Sequence, residues 1–166
     1  IGCEKCRPGY RAILKEELLQ YKDELCELCK ARIDRNVFRV LDCKQKKCKE
    51  IRQNVSNTED HACSDCRDHF KIVKGALEDI NLEYTIDPHL VRGLDYYTKT
   101  VYEITHPAMG ARDTICAGGR YDNLISDIGG PPTGAVGFAA GMEASMIALI
   151  NTRDKKQKSQ PDTSPL

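Results

Sequence analysis

Four cysteine pairs constrain this chain more than anything else in it. Cys3/Cys6, Cys26/Cys29 and Cys63/Cys66 are C-x-x-C knuckles, Cys43/Cys48 has four intervening residues, and all eight thiols fall within the first 66 positions. Two thiolates on such a turn can point at one tetrahedral ion, so eight ligands make two four-cysteine zinc sites. A disulfide framework and a set of free structural thiols are the competing readings; a thioredoxin-like centre is disfavoured because no βαβ pattern surrounds any pair. His61 and His69 flank the last pair and read first as surface helix residues. If residues 1 to 70 are an excursion from a larger body, entry and exit lie side by side. Cys3 and Cys6 then meet Cys63 and Cys66, and the inner pairs close a second knuckle across 13 residues. Four thiolates leave no open coordination position, so zinc here would be structural.

The ninth cysteine, Cys116, lies apart in a glycine-rich stretch and is given no chemistry. Lys and Arg total 25 against 25 Asp and Glu, and the pI is near 7.0. That balance excludes a general nucleic-acid or membrane-surface binder, since neutralising many phosphates needs a basic excess. Lys44, Lys46, Lys47 and Lys49 form one local basic run, which reads first as a solvated face and second as a local RNA contact. No apolar run of 18 residues and no secretory leader is present, so neither a membrane span nor export is expected and the location is read as cytoplasmic. The opening at Ile1 is read as a processed product, an excised piece or an incomplete frame.

Periodicity places helices near Pro8–Tyr21, Leu25–Arg35, Lys46–Asn54 and Asp60–Ile80, with a short extended piece at Val37–Leu41. Alternation from Leu82 to Asp87 predicts a strand. Further strands are expected at Val101–His106, Thr114–Ala117 and Gly134–Ala139, and a short helix at Tyr121–Ile128. Gly141–Ile150 reads as a helix buried against a sheet, and Asn151–Leu166 as a disordered linker or tail. The domains expected are 1–80, helical and cysteine-rich; 81–150, of mixed strands and helices; and 151–166, the tail.

Two segments bear candidate ligand contacts. Leu90 to Ile104 holds Arg92 before a glycine and the adjacent Tyr96 and Tyr97, which face opposite ways if extended; Thr114 to Ile125 holds Gly118 and Gly119 before Arg120, Tyr121 and Asp122. A fixed guanidinium at Arg92 would meet a phosphate or carboxylate; the bland alternative is a salt bridge to Asp95.

Over more than ten consecutive positions each, these segments resemble the two histidine-specific motifs of histidyl-tRNA synthetases. Residues Gly137 to Ile150 resemble the third class II synthetase motif, and the cysteine-rich stretch is similar to the helical insertion domain of some bacterial members. The resemblance implies an α+β fold: part of a class II antiparallel-sheet catalytic domain plus a small, zinc-stabilised helical insertion. It implies activation of histidine with ATP and magnesium to an adenylate, transfer to histidine tRNA, and a homodimer in the full enzyme. By position Arg92 would contact the α-phosphate, Tyr97 the substrate imidazole, and Tyr121 the pocket near the amino acid. Gly118 and Gly119 would admit the substrate closely. After Glu143 the family places an ATP-holding arginine, where this sequence has Ala144. The first two class II motifs would precede Ile1 and the anticodon-binding domain would follow the linker, so no ATP–pyrophosphate exchange is expected of the chain alone. A non-catalytic synthetase-derived regulator of histidine biosynthesis, favoured by Ala144, and a zinc-stabilised tRNA-binding module are the alternatives.

Overall fold

The computed structural model describes residues 1–94, 96–109 and 114–158, with the side chains of 108 and 154–158 left aside. Asp95 and residues 159–166 therefore lie outside the described residues. The chain divides into two compact units: the first holds 1–101 and 120–135, the second 102–119 and 136 onward.

The N-terminal stretch of the first unit is built on the helices α1 (Arg7–Gln20), α2 (Glu27–Arg35), α3 (Phe38–Leu41), α4 (Lys46–Arg52) and α5 (Ser64–Asp79). Pro8 sits in the first turn of α1, where its missing N–H costs nothing. Tyr10, Leu14 and Leu18 then recur on one buried face. Against them pack Leu25, Ile33, Val37, Val40, Leu41, Ile51 and Val55, and the thiols Cys29, Cys43 and Cys48 belong to the same core. Val37–Leu41 is helical rather than extended. Val37, Val40 and Leu41 are all buried, and the i, i+3, i+4 spacing of a helical turn faces all three inward, whereas a strand would split Val40 from Leu41.

The helix α5 ends on two bonds, Asn81 N–H to the Glu78 carbonyl and Leu82 N–H to the Leu77 carbonyl, both 2.9 Å. Asn81 is left-handed at φ 53°, so this is a Schellman stop with Asn in the place glycine usually takes. The alternating stretch after it is not a strand. Leu82, Tyr84 and Ile86 are exposed, and the segment pairs with none of the sheet strands. Alternation stabilises a strand only where a ladder and a covered face are on offer.

The sheet has three strands in the order β1 (Thr98–Thr105), β2 (Thr114–Arg120), β3 (Val136–Ala140). The Tyr121 N–H bonds the Ala135 carbonyl at 2.8 Å and the Gly141 N–H the Ile115 carbonyl at 2.9 Å, a pairing register that runs β3 antiparallel to β2. One short turn of helix, α6 (Leu124–Asp127), precedes Gly129. The last helix, α7 (Met142–Lys158), continues through the first half of the expected tail. Its apolar residues are also less buried than expected: Ala148 is buried, while Met142, Met146, Ile147 and Ile150 stay exposed. An all-round apolar helix signals that burial stabilises it, and the sequence pattern does not say what supplies the cover.

Among the described residues no helix is long and apolar enough to cross a membrane. Leu18 is fully buried and Ile72 is 71% exposed. Leu18→Ala is expected to cost about 3 kcal/mol in urea unfolding, with Ile72→Ala within about 0.5 kcal/mol of the parent. His89 buries its Nε2 without a hydrogen-bond partner, and burial first, then Arg52, holds its pKa below 6.5. The neutral ring suits the fold, so its contribution is present above about pH 6.5 and lost as pH falls through the lowered value. His89→Gln is expected to flatten the acid limb of a stability-against-pH curve.

Candidate functional site

The cysteines meet as two sets of four: Cys3, Cys6, Cys63 and Cys66 in one, Cys26, Cys29, Cys43 and Cys48 in the other, with the sulfurs of each set within 4.8 Å of one another. The local cause is shared. Cys6, Cys26 and Cys63 precede the first residues of α1, α2 and α5, while Cys29, Cys48 and Cys66 fall in the first turns of α2, α4 and α5. Helix starts thus present thiols two by two. The Cys3–Cys6, Cys3–Cys63 and Cys6–Cys66 sulfurs are 3.8, 3.7 and 3.8 Å apart, and Cys26–Cys43 3.8 Å. All nine cysteines are free thiols. A zinc tetrahedron with bonds of about 2.3 Å has sulfur–sulfur edges of about 3.8 Å, far from the roughly 2.05 Å of a disulfide.

Each set pairs a thiol that ionises readily with one that resists. The Cys29 backbone N–H brings Cys26 down to about 7, and Cys3 also falls to about 7, burial being outweighed by the backbone N–H groups of Cys6 and Lys5. Burial pushes Cys29 and Cys66 well up. A buried thiol of this kind becomes a thiolate only beside a cation. His61 joins neither set; its ring stacks on Tyr10 at 5.4 Å. His69 is half-buried on α5, its pKa lowered by burial and then by Lys99 and Arg120.

In the same unit, Tyr97 is buried and its ring lies 4.7 Å from Tyr96 and 6.3 Å from Tyr121, with Tyr96 5.6 Å from Tyr121. The adjacent tyrosines therefore share one cluster and do not face opposite ways. Tyr96 is in a turn before β1, so strand alternation does not apply to it. Burial raises the Tyr97 hydroxyl pKa, Tyr96 adds to this, and Arg92 opposes it. Arg92 lines a small cavity with Arg7, Asn36, Phe38, Thr58 and Val91, so the cysteine-rich helices and the Arg92 loop share a wall. Val91 packs on the helical core itself.

Sequence reasoning missed the residues that hold this segment. Arg7 donates to the Tyr97 carbonyl at 3.2 Å and its guanidinium lies 5.3 Å from the Phe38 ring centre. Asp122 takes a 3.1 Å bond from the buried Thr98 hydroxyl, returns one from its own N–H at 3.1 Å, and pairs with Arg120 at 2.6 Å. Arg39 lies against Gly93, where a Cβ would displace the end of its guanidinium. Only the glycine hinted at that contact. Of the basic run, Lys47 pairs with Glu24 at 2.8 Å and Lys44 with Asp42 at 3.3 Å, which leaves a weaker patch than four lysines suggest.

Gly118 and Gly119 are buried in β2, in the second unit. A Cβ on Gly118 would meet the Gly137 carbonyl and lie 2.7 Å from the Phe138 Cβ, so this glycine makes room for β3. Cys116 is half-buried in the same strand.

Residues 14–144 match the family model described as histidyl-tRNA synthetase. The chain belongs to the histidyl-tRNA synthetase family, a class of α+β enzymes by the fold of its neighbours. It is 48% identical over 150 residues to the histidine–tRNA ligase of Clostridium novyi, covering 90% of this chain and 35% of that protein. With the Dictyoglomus turgidum ligase it shares 47% over 161 residues, 97% of this chain and 39% of the relative. The apo histidyl-tRNA synthetase structure from Staphylococcus aureus superposes with a TM-score of 0.64 at 28% identity, over 97% of this chain and 38% of that one. The chain thus spans little more than a third of the relatives it matches.

Gly118→Ala is expected to cost about 2 kcal/mol through strain between β2 and β3, read as a lower thermal midpoint with the sheet signal lost first.

Proposed function

We propose that this chain carries the histidine-recognition part of an ATP-dependent histidine–tRNA ligase. The observation that carries the reading is the Tyr96, Tyr97 and Tyr121 cluster, under the influence of Arg92, within a chain that matches this family over most of its length. Arg92 would neutralise charge building on the ATP α-phosphate as the histidine carboxylate attacks and pyrophosphate leaves; a fixed cation is worth most where charge develops. The Tyr97 hydroxyl would hydrogen-bond the substrate imidazole. Tyr121 would wall the same pocket; Gly118 and Gly119 would keep their own strand free of side chains. None of these groups acts as a nucleophile. The work of the protein is positioning and charge stabilisation.

In this reading residues 1–80 form an insertion domain stabilised by up to two structural zinc ions and residues 81–150 belong to the class II catalytic domain. The partners are histidine, ATP with magnesium, histidine tRNA and a second copy of the full enzyme, in the cytoplasm. Four free thiols at tetrahedral spacing support zinc as the ion, and such a site contributes on the order of 10 kcal/mol to zinc-finger peptides, ample for helices this short.

The test is histidine-dependent ATP–pyrophosphate exchange by the longer protein that contains this chain. Arg92→Gln is expected to lower the exchange rate about 100-fold or more with the fold intact, and Tyr97→Phe to raise the KM for histidine more than that for ATP. Exchange untouched by Arg92→Gln would sink the assignment. Ala144→Arg, which restores the nucleotide contact expected of the family, should lower the KM for ATP.

A further inference from the structure

The two thiol sets occupy different mechanical positions. Cys29, Cys43 and Cys48 are part of the helical core, and Cys26 packs against it. The other set lies outside that core, on the stretch 2–7 and at the start of α5. That stretch is bonded to the tyrosine segment at several points. Gly2 and Lys99 form an antiparallel bridge, with the Lys99 N–H on the Gly2 carbonyl at 2.8 Å. Arg7 holds the Tyr97 carbonyl. Glu4 accepts a 2.6 Å bond from Asn123, one residue past Asp122, which in turn holds Thr98. Cys3 and Arg7 line one cleft with Tyr96 and Thr98.

We infer that the chain binds two zinc ions with unequal duties: the ion held by Cys26, Cys29, Cys43 and Cys48 builds the helical core, and the ion held by Cys3, Cys6, Cys63 and Cys66 is a clasp that positions Tyr97 and Lys99. This rests on the zinc reading of residues 1–80 and adds a division of labour to it. Each ion replaces four thiol protons, which pass to solvent, with four Zn–S bonds. The clasp ion ties the start of α1 to the start of α5, two stretches 60 residues apart in sequence. Without it, residues 1–7 keep only the Gly2 bridge, the Ile1 amino group on the Lys99 carbonyl at 2.9 Å, the Arg7 bond and the Glu4–Asn123 bond to this segment, whose Thr98 is held separately by Asp122. Each of these contributes about 1 kcal/mol, and all of them are made by the stretch that carries Cys3 and Cys6, so release of the ion loosens them together.

The backbone at Gly2 is shaped for this site. Gly2 has φ 73°, and a Cβ there would lie 2.8 Å from the Cys6 sulfur, so the close turn that delivers Cys6 depends on the absent side chain. Zinc at the clasp would act on recognition only through Tyr97, which makes these cysteines positioning residues.

The experiment uses the 166-residue chain, purified with zinc and desalted, with bound metal counted by mass spectrometry and amide exchange followed at Lys99 and in the α1 core. The parent is expected to retain two zinc ions. Cys63→Ser should retain one, keep slow exchange at Leu14 and Leu18, and speed exchange at Lys99 about tenfold or more. Cys26→Ser should also retain one and lose protection at Leu14 and Leu18. A parent that retains no zinc, or iron in its place, overturns the metal reading itself. Two zinc ions in the parent with Lys99 exchange unchanged in Cys63→Ser overturn the clasp and leave the metal reading standing. Should Cys63→Ser fail to fold, Gly2→Ala decides with all eight thiols present. One ion should pass to a chelator faster than in the parent, with faster exchange at Lys99; equal release of both ions, or unchanged Lys99, overturns the clasp.

Discussion

The helical part of this molecule depends on getting eight thiols to two points. Its helices are short: α2, α3 and α4 have nine, four and seven residues, below the length at which a helix holds itself in water. Their stability must come from one another, and the shared core is small and aliphatic, with Leu14, Leu18 and Leu41 as its largest fully buried side chains. Three thiols fill the rest of that core. A thiol in such a place is a small apolar group when protonated and a ligand when it is not, and at Cys29 and Cys48 burial opposes the second state. Beside them Cys26, packed against the same core, is drawn down to about 7 by the Cys29 backbone N–H in the first turn of α2.

That core is not isolated from the segment that carries Arg92 and Tyr97. Val91 packs on it, Phe38 of α3 sits under the Arg7 guanidinium, and Arg7 holds Tyr97. Arg39, also on α3, occupies the space beside Gly93. The second grip on the segment comes from Asp122, which joins Thr98 at the start of β1 to Arg120 at the end of β2. Tyr97 lies between the two grips, both of which are made within the chain itself.

Much of this is legible in the sequence for a physical reason. Ligand spacing is local chemistry, so the knuckles announce themselves; the nested pairing needs only the assumption that entry and exit of the segment lie together, and the sulfurs do meet that way. The long periodic helices α1 and α5 are equally plain, because a 3.6-residue stripe sustained over several turns fits no strand. What stays hidden is whatever depends on a neighbour. Val37–Leu41 and Leu82–Asp87 are each too short for their period to decide, and the first is set by the core it meets, the second by the lack of a pairing strand. Tyr96 and Tyr97 mislead because alternation holds only inside a strand, and Tyr96 stands in a turn. Arg7 and Arg39 leave almost no trace, since a guanidinium that bonds a carbonyl or rests on a glycine has no motif.

The glycines of β2 illustrate how a correct location can carry an incomplete reason. Gly118 reads from the sequence as a place of close approach, and it is one, but the approaching group is the β3 backbone at Gly137 and Phe138. A strand that cannot carry a side chain at this position can still present a bare surface to a ligand on its other face. Packing and recognition then impose the same residue for different reasons. They separate by what a side chain would disturb: a Cβ that collides with β3 weakens the sheet with or without histidine, whereas one that intrudes on a ligand leaves the free protein untouched. At Gly118 the first cost is unavoidable, so any role in binding is carried by a position whose identity the fold already requires.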